Sequence, residues 1–343
     1  MKAVQWVAPR QLRVIDVEKP VPKPHEALVR LESVGVCGSD VHYYLEGRIG
    51  NQVLAGPTIL GHEYAGIVES TGTAADAALV GKRVAVEPGI PCMQCEWCRS
   101  GHYNVCRAMY FPGGPGCDGA LRDYMTVHAG FCYRVPDAVG PSAAAMLEPL
   151  AVALHTVELA EVKAGETAAV IGLGTIGLLV AQVLKLSGVC KLYGSDLLAY
   201  RVAAAARYGV DRAIDASRED TVGRILGETD GRGVDVAIDC SNRGEPLAQV
   251  CRIARPAGRC VLTGISGNDY DAIAVSDARR KELTLRWCRR FRHNYPAAIA
   301  LLDAGKVDVL SLITHSFRLE EASQAFELVA NNADNVIKAS VDW

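Results

Sequence analysis

From Met1 to about Phe131 the apolar residues come in short runs broken by glycine and proline. Ala27-Leu28-Val29-Arg30-Leu31 and Ala65-Gly66-Ile67-Val68-Glu69-Ser70 have the length and composition of strands. With turn-forming residues between such runs, this half predicts a compact, mostly β region, and Pro20, Pro22 and Pro24 predict an extended entry to it. Near residue 142 the texture changes. Ser142 to Leu147 opens a helical run that continues through Glu148-Pro149-Leu150 to His155. From Ala168 strands and helices alternate: Ala168–Ile171, Lys191–Asp196, Val234–Asp239 and Gly258–Thr263 read as strands, Ile176–Leu186 and Tyr200–Tyr208 as helices. The first of these strands is apolar throughout, as a strand covered on both faces requires. Such alternation predicts an α/β architecture with a doubly wound parallel sheet. After Trp287 the rhythm breaks, with helices over His293–Leu302 and Leu319–Ala330 and a closing strand over Val336–Val341.

Size and composition narrow the classes. A chain of 343 residues exceeds one ordinary domain, and two is the natural expectation. With 50% hydrophobic and 22% charged residues it can build a large core, which excludes a disordered chain. The net charge of −3 is spread along the sequence, and no basic block exists to cover a phosphate backbone, so nucleic acid is not an expected partner. The amino terminus lacks a signal-peptide pattern. The uncharged stretch Thr167–Leu184 approaches the length of a membrane span, but its glycine pattern reads as strand, turn and helix, so no membrane association is expected. Twelve cysteines without an export signal predict a reducing, cytoplasmic setting in which thiols serve metals or the core.

Gly172-Leu173-Gly174-Thr175-Ile176-Gly177 fits the pattern G-x-G-x-x-G, preceded by the buried strand and followed by a helix. Asp196 ends the next strand. In that context the glycines and the helix amino terminus read as a dinucleotide-phosphate cradle. Gly172, Gly174, Thr175, Ile176 and Gly177 form the loop, and Asp196 is placed to accept from the adenosine ribose. A carboxylate there repels a 2′-phosphate, and Leu197 and Leu198 offer no cation for one, so NAD is favoured over NADP. Arg201, one helical turn on, is the residue that could help to hold a phosphate.

Cys92, Cys95, Cys98 and Cys106 are spaced C-x2-C-x2-C-x7-C. Four thiolates so close together suit a closed tetrahedral zinc site whose role is structural. An iron–sulfur cluster can use similar spacing, but nothing nearby suggests electron transfer. A second set is scattered: Cys37 in Gly35-Val36-Cys37-Gly38-Ser39-Asp40, His62 and Glu63 in Gly61-His62-Glu63-Tyr64-Ala65-Gly66, and Glu148 in Leu147-Glu148-Pro149-Leu150. Spacing alone does not bring these together.

Taken in order, the Cys37 and His62 segments, Gly47-Arg48-Ile49-Gly50, Gly81-Lys82-Arg83-Val84, the four-cysteine lobe, Glu148-Pro149-Leu150, the glycine loop, Asp196 and Phe291-Arg292 resemble the zinc-dependent medium-chain dehydrogenases, and among them the sorbitol and xylitol dehydrogenases. The resemblance runs through essentially the whole chain. It implies a GroES-like β-rich catalytic domain over 1–150 with a zinc lobe near 88–110, a Rossmann NAD-binding domain over 151–288, and a return to the catalytic domain over 289–343. It implies a catalytic zinc at Cys37 and His62 with the carboxylates Glu63 and Glu148, their division left open, and a structural zinc at the four cysteines. Zinc would polarise a secondary hydroxyl of a polyol while hydride passes to NAD, with Ser39 and His42 as proton relay. Tyr43, Phe111, Glu148 and Arg292 would line the substrate pocket. Homodimers or homotetramers are implied. His293 and Gln52 depart from relatives, which bears on which polyol is preferred. A zinc alcohol, L-threonine or butanediol dehydrogenase is the alternative.

Overall fold

A computed structural model describes residues 1–242 and 244–343. The chain divides into two compact units, Met1–Glu148 with Tyr295–Trp343, and Pro149–Asn294. The chain re-enters the first unit at Tyr295 rather than at 289. Asn294 accounts for the delay: its Oδ1 accepts from the Arg292 amide at 3.1 Å and its Nδ2 donates to Glu158 at 2.7 Å, tying this segment to the helix Leu147–Ala160. The helix expected from His293 accordingly starts at Tyr295, and His293 lies outside it at φ +59°.

In the first unit, among the described residues, a mixed sheet runs in the order Cys132–Arg134, Arg83–Val86, Glu63–Thr71, Glu26–Gly35, Lys338–Asp342, Ile313–Arg318, with Tyr124–His128 also pairing to Glu26–Gly35. Only the last pair in that order is parallel. The carboxyl-terminal segment thus supplies two strands of the sheet, which is why it returns. Glu26–Gly35 is central, and its Leu28, Val29, Leu31 and Val34 are all buried. A strand covered on both faces loses the polar–apolar alternation of an edge strand. Phe326, from the helix Ala322–Ala330, packs edge-on against Tyr44 at 5.3 Å between ring centres.

The second unit carries a parallel sheet in the order Arg212–Asp215, Lys191–Asp196, Thr167–Ile171, Val234–Asp239, Ala254–Leu262, Thr284–Trp287. The first strand in sequence lies inside the sheet, so the order reverses there, and crevices open at the carboxyl ends of strands on either side of such a switch point. The apolar stretch that begins at Thr167 resolves into that strand and the buried helix Thr175–Leu186. The expected helix Tyr200–Tyr208 is an α-helix, Ala199–Ala204, that tightens to a 3-10 turn over Ala205–Tyr208 before Gly209 at φ +90°.

Candidate active site

The glycine loop is shaped by close approach. Gly172 sits at φ +91°, and a Cβ there would lie 2.9 Å from backbone atoms of Cys240 and Ser241. At Gly177 a Cβ would lie 1.9 Å from the Gly172 carbonyl oxygen, so the helix packs directly on the loop. Gly174 differs: outside its own helix the nearest atom to a Cβ is in the Arg201 guanidinium, at 3.5 Å. Packing does not demand a glycine there. The missing Cβ leaves clear access to the amides of the first helical turn, at Thr175 and Ile176, and such amides suit a pyrophosphate.

Asp196 is fixed beside this loop. Its Oδ2 accepts from the Leu173 amide at 2.7 Å, its Oδ1 from the Leu198 amide at 2.9 Å, and Arg201 Nη1 stands 3.7 Å away. The cofactor residues expected from sequence therefore come together in one place, and they fit a dinucleotide.

The four lobe cysteines also converge, with ligand atoms within 4.8 Å of one another. The sulfurs of Cys95 and Cys98 are 3.4 Å apart, and those of Cys92–Cys98 and Cys95–Cys106 4.0 Å. Tetrahedral zinc with bonds of about 2.3 Å needs sulfurs about 3.8 Å apart. The backbone amides of Gln94 and Cys95 pull the Cys92 thiol down to about 6, whereas burial pushes Cys98 up to about 12. A cation among them would displace the remaining protons.

The scattered set assembles in part. Cys37, His62 and Glu63 place donor atoms within 4.8 Å of one another. Cys37 caps the helix Gly38–Glu46, and Glu63 begins the strand Glu63–Thr71 opposite Gly35. Helix start and strand start thus deliver residues distant in sequence to one point. Ser39 donates to Cys37 Sγ at 3.3 Å, and Phe111 packs on the His62 ring with centres 5.0 Å apart.

Asp40 organises this point, and sequence reasoning assigned it no role. It is 1% exposed, accepts from the amides of Cys37 at 3.4 Å and Gly61 at 3.3 Å, and meets His62 Nδ1 at 3.2 Å. With Nδ1 so engaged, Nε2 is the nitrogen left for a metal, as in a carboxylate–histidine–metal relay. Burial acts to lower the His62 pKa, but Asp40 and Cys37 overcome it and raise the imidazole well above its usual value. The surroundings favour positive charge at this point, as a cation site should. The signal available in sequence was an acidic residue three positions into a helix capped by a candidate ligand.

Glu148, 4% exposed in the first turn of Leu147–Ala160, lies outside the trio gathered within 4.8 Å. It does act electrostatically on buried Lys338, a second residue that sequence reasoning passed over. Desolvation opposes the charge on Lys338, but Glu63, Cys37 and Glu148 outweigh it and raise its pKa. His42 is half-buried on the same helix as Ser39, and Tyr43 is 8% exposed in the core of the first unit. Arg292 is half-buried in the second unit, its backbone held by Asn294.

Comparison with known proteins adds a lineage to this geometry. Residues 23–137 match the alcohol dehydrogenase GroES-like domain, and residues 175–304 match the zinc-binding dehydrogenase family. A probable D-xylulose reductase A of Emericella nidulans is 37% identical, over 92% of this chain and 90% of its own. A sorbitol dehydrogenase of Bacillus subtilis is 33% identical over 99% and 97%. Among solved structures, a zinc-binding dehydrogenase from Sinorhizobium meliloti 1021, bound to NADP, superposes with a TM-score of 0.90 at 30% identity, covering 100% of this chain and 99% of the other.

Proposed function

The chain belongs to the zinc-binding alcohol dehydrogenases with a GroES-like domain, and from that premise we propose that it oxidises a secondary hydroxyl of a sugar alcohol, of the xylitol or sorbitol kind, to the ketose with NAD. The observation that carries this reading is the convergence of Cys37, His62 and Glu63 with Asp40 seated on His62. The relatives described as D-xylulose reductase and sorbitol dehydrogenase support the polyol class.

When bound, zinc supplies Lewis acidity toward the substrate hydroxyl and NAD supplies the hydride acceptor. Everything else falls to the chain. Cys37 and His62 hold the cation, with Glu63 beside them, and Asp40 keeps the imidazole in the tautomer that presents Nε2. Ser39, whose hydroxyl lies next to Cys37, takes the proton lost by the substrate and passes it to His42, three residues on along the same helix. Tyr43, Phe111 and Glu148, all in the first unit, contact the remaining hydroxyls. A pocket built for several hydroxyls leaves polar groups unpaired when a simple alcohol binds, which is the basis of discrimination. Asp196 selects NAD by repelling a 2′-phosphate, and Arg201, close to the same carboxylate, limits the margin. The four-cysteine lobe holds a structural zinc. The reading extends to a cytoplasmic homodimer or homotetramer.

The test is NADH formation across xylitol, sorbitol, ribitol, galactitol and L-arabinitol, beside ethanol, 2,3-butanediol and L-threonine. A polyol should be turned over fastest, and chelation should abolish the rate. Faster turnover of ethanol, butanediol or threonine would replace the substrate class.

A further inference from the structure

Lys338 is 3% exposed, and its Nζ donates to Glu63 Oε2 and, at 3.0 Å, to the Val36 carbonyl. Sheet register creates this pair. The strand Glu26–Gly35 lies between Lys338–Asp342 and Glu63–Thr71, with Gly35 opposite both Ser340 and Glu63. A Cβ at position 35 would stand 2.1 Å from Glu63 Oε2 and 3.0 Å from Lys338 Cε. The glycine therefore opens the space in which ammonium and carboxylate meet.

We propose that Lys338 is a positioning residue for the zinc at Cys37 and His62: by anchoring Glu63 it keeps that carboxylate a weak, displaceable ligand, so that a coordination position stays open for substrate. This rests on the metal reading given above. The Lys338 ammonium, held by the Val36 carbonyl, competes with the cation for the Glu63 carboxylate. Without Lys338, Glu63 would lean fully onto the metal, and the divalent ion would lose a repulsive neighbour. Both changes tighten metal binding and move the site toward the closed coordination of a structural zinc.

The test uses the holoprotein, its Lys338→Met and Lys338→Arg variants, and the double variant Glu63→Gln/Lys338→Met. Each is challenged with the chromophoric chelator 4-(2-pyridylazo)resorcinol, with the lobe ion as internal reference. Lys338→Met should slow release of the other ion at least about tenfold, the equivalent of about 1.4 kcal/mol, and its cobalt-substituted form should no longer shift its visible absorption when polyol is added. Lys338→Arg should release at the wild-type rate. The double variant, with no carboxylate left to over-ligate, should release at the wild-type rate or faster. Release from Lys338→Met at the wild-type rate or faster, or slowing that persists in the double variant, overturns the proposal.

Should Lys338→Met fail to fold, the double variant decides alone, since neutralising both members of a buried pair is well tolerated. The cobalt form of the double variant should still shift its visible absorption when polyol is added, as the wild type's does, because no carboxylate closes the position kept for substrate, and loss of that shift refutes the proposal. A wild-type protein that binds only the lobe ion refutes the metal reading and this inference together. Two bound ions without polyol turnover refutes the substrate class alone.

Discussion

Asp40 in the first unit and Asp196 in the second perform the same local task by different routes. Each is buried, at 1% and 9% exposure, and each accepts from two backbone amides. Asp196 binds its amides at 2.7 and 2.9 Å, and in the proposed reading it also meets the ribose itself. Asp40 binds at 3.3 and 3.4 Å and reaches the metal only through His62. One aspartate contacts its ligand and the other positions the residue that does. The contrast separates two kinds of site: a contiguous loop that needs one carboxylate beside it, and a donor set that long-range pairing has to assemble.

The largest expected effect comes from removing a donor outright. Cys37→Ser should lower turnover by about a thousandfold or more, since changes one shell further out already reach 10–100-fold. NADH affinity, followed by fluorescence, should stay within about twofold, because the loop Gly172–Gly177 and Asp196, not Cys37, hold the dinucleotide. A comparable loss of NADH binding would show that the two regions are not separable in this way.

That separability explains how much could be read from sequence. The dinucleotide loop was legible because Gly172, Gly174, Gly177 and Asp196 are tied to strand and helix boundaries that local pattern reveals. The lobe was legible because its four cysteines fall within a short stretch of chain. The Cys37–His62–Glu63 set was not readable from spacing, and only the family resemblance joined it, because its geometry depends on the pairing of Glu26–Gly35 with Glu63–Thr71. Asp40 and Lys338 escaped altogether. A side chain that acts through another residue leaves no ligand pattern of its own, and the Lys338–Glu63 pair spans nearly the whole chain. The delayed return at Tyr295 was missed for a similar reason, since Asn294 is held by Glu158, far back in sequence.

Exchanging the two aspartates for asparagine should sharpen the contrast at intermediate size. Asp40→Asn should weaken zinc at the Cys37 site by about 10–100-fold and leave NADH affinity unchanged. Asp196→Asn should weaken NADH by roughly tenfold and narrow its margin over NADPH, with metal content intact. Metal analysis and cofactor titration on both variants check this. Crossed effects, with metal lost in Asp196→Asn or NADH weakened in Asp40→Asn, would break the assignment of one carboxylate to each ligand.

Asp235 provides the control, an equally well held aspartate with no ligand to serve. It accepts from the amide and hydroxyl of Thr167 at 2.9 and 2.8 Å, from Arg232 at 2.7 Å and from Arg255 at 2.6 Å. Thr167, Asp235 and Arg255 lie at the starts of the strands Thr167–Ile171, Val234–Asp239 and Ala254–Leu262, with Arg232 just before the second of them, at the end of the parallel sheet away from the carboxyl ends where ligands bind. Asp235→Asn should therefore leave NADH and zinc binding untouched and cost about 2 kcal/mol of stability near neutrality, held to that size because Arg232 is 52% exposed. Burial works to raise the Asp235 pKa, but Arg232 and Arg255 prevail and hold the carboxyl well below its usual range. A carboxyl lowered in the folded state stabilises at pH values above its unfolded pKa of about 3.9, and that contribution drains away as pH falls toward the folded value. In urea unfolding the gap between wild type and variant should be full at pH 7 and narrow progressively below about pH 4. A gap that stays constant or widens on acidification would mean that the charge of Asp235 does not supply the stability.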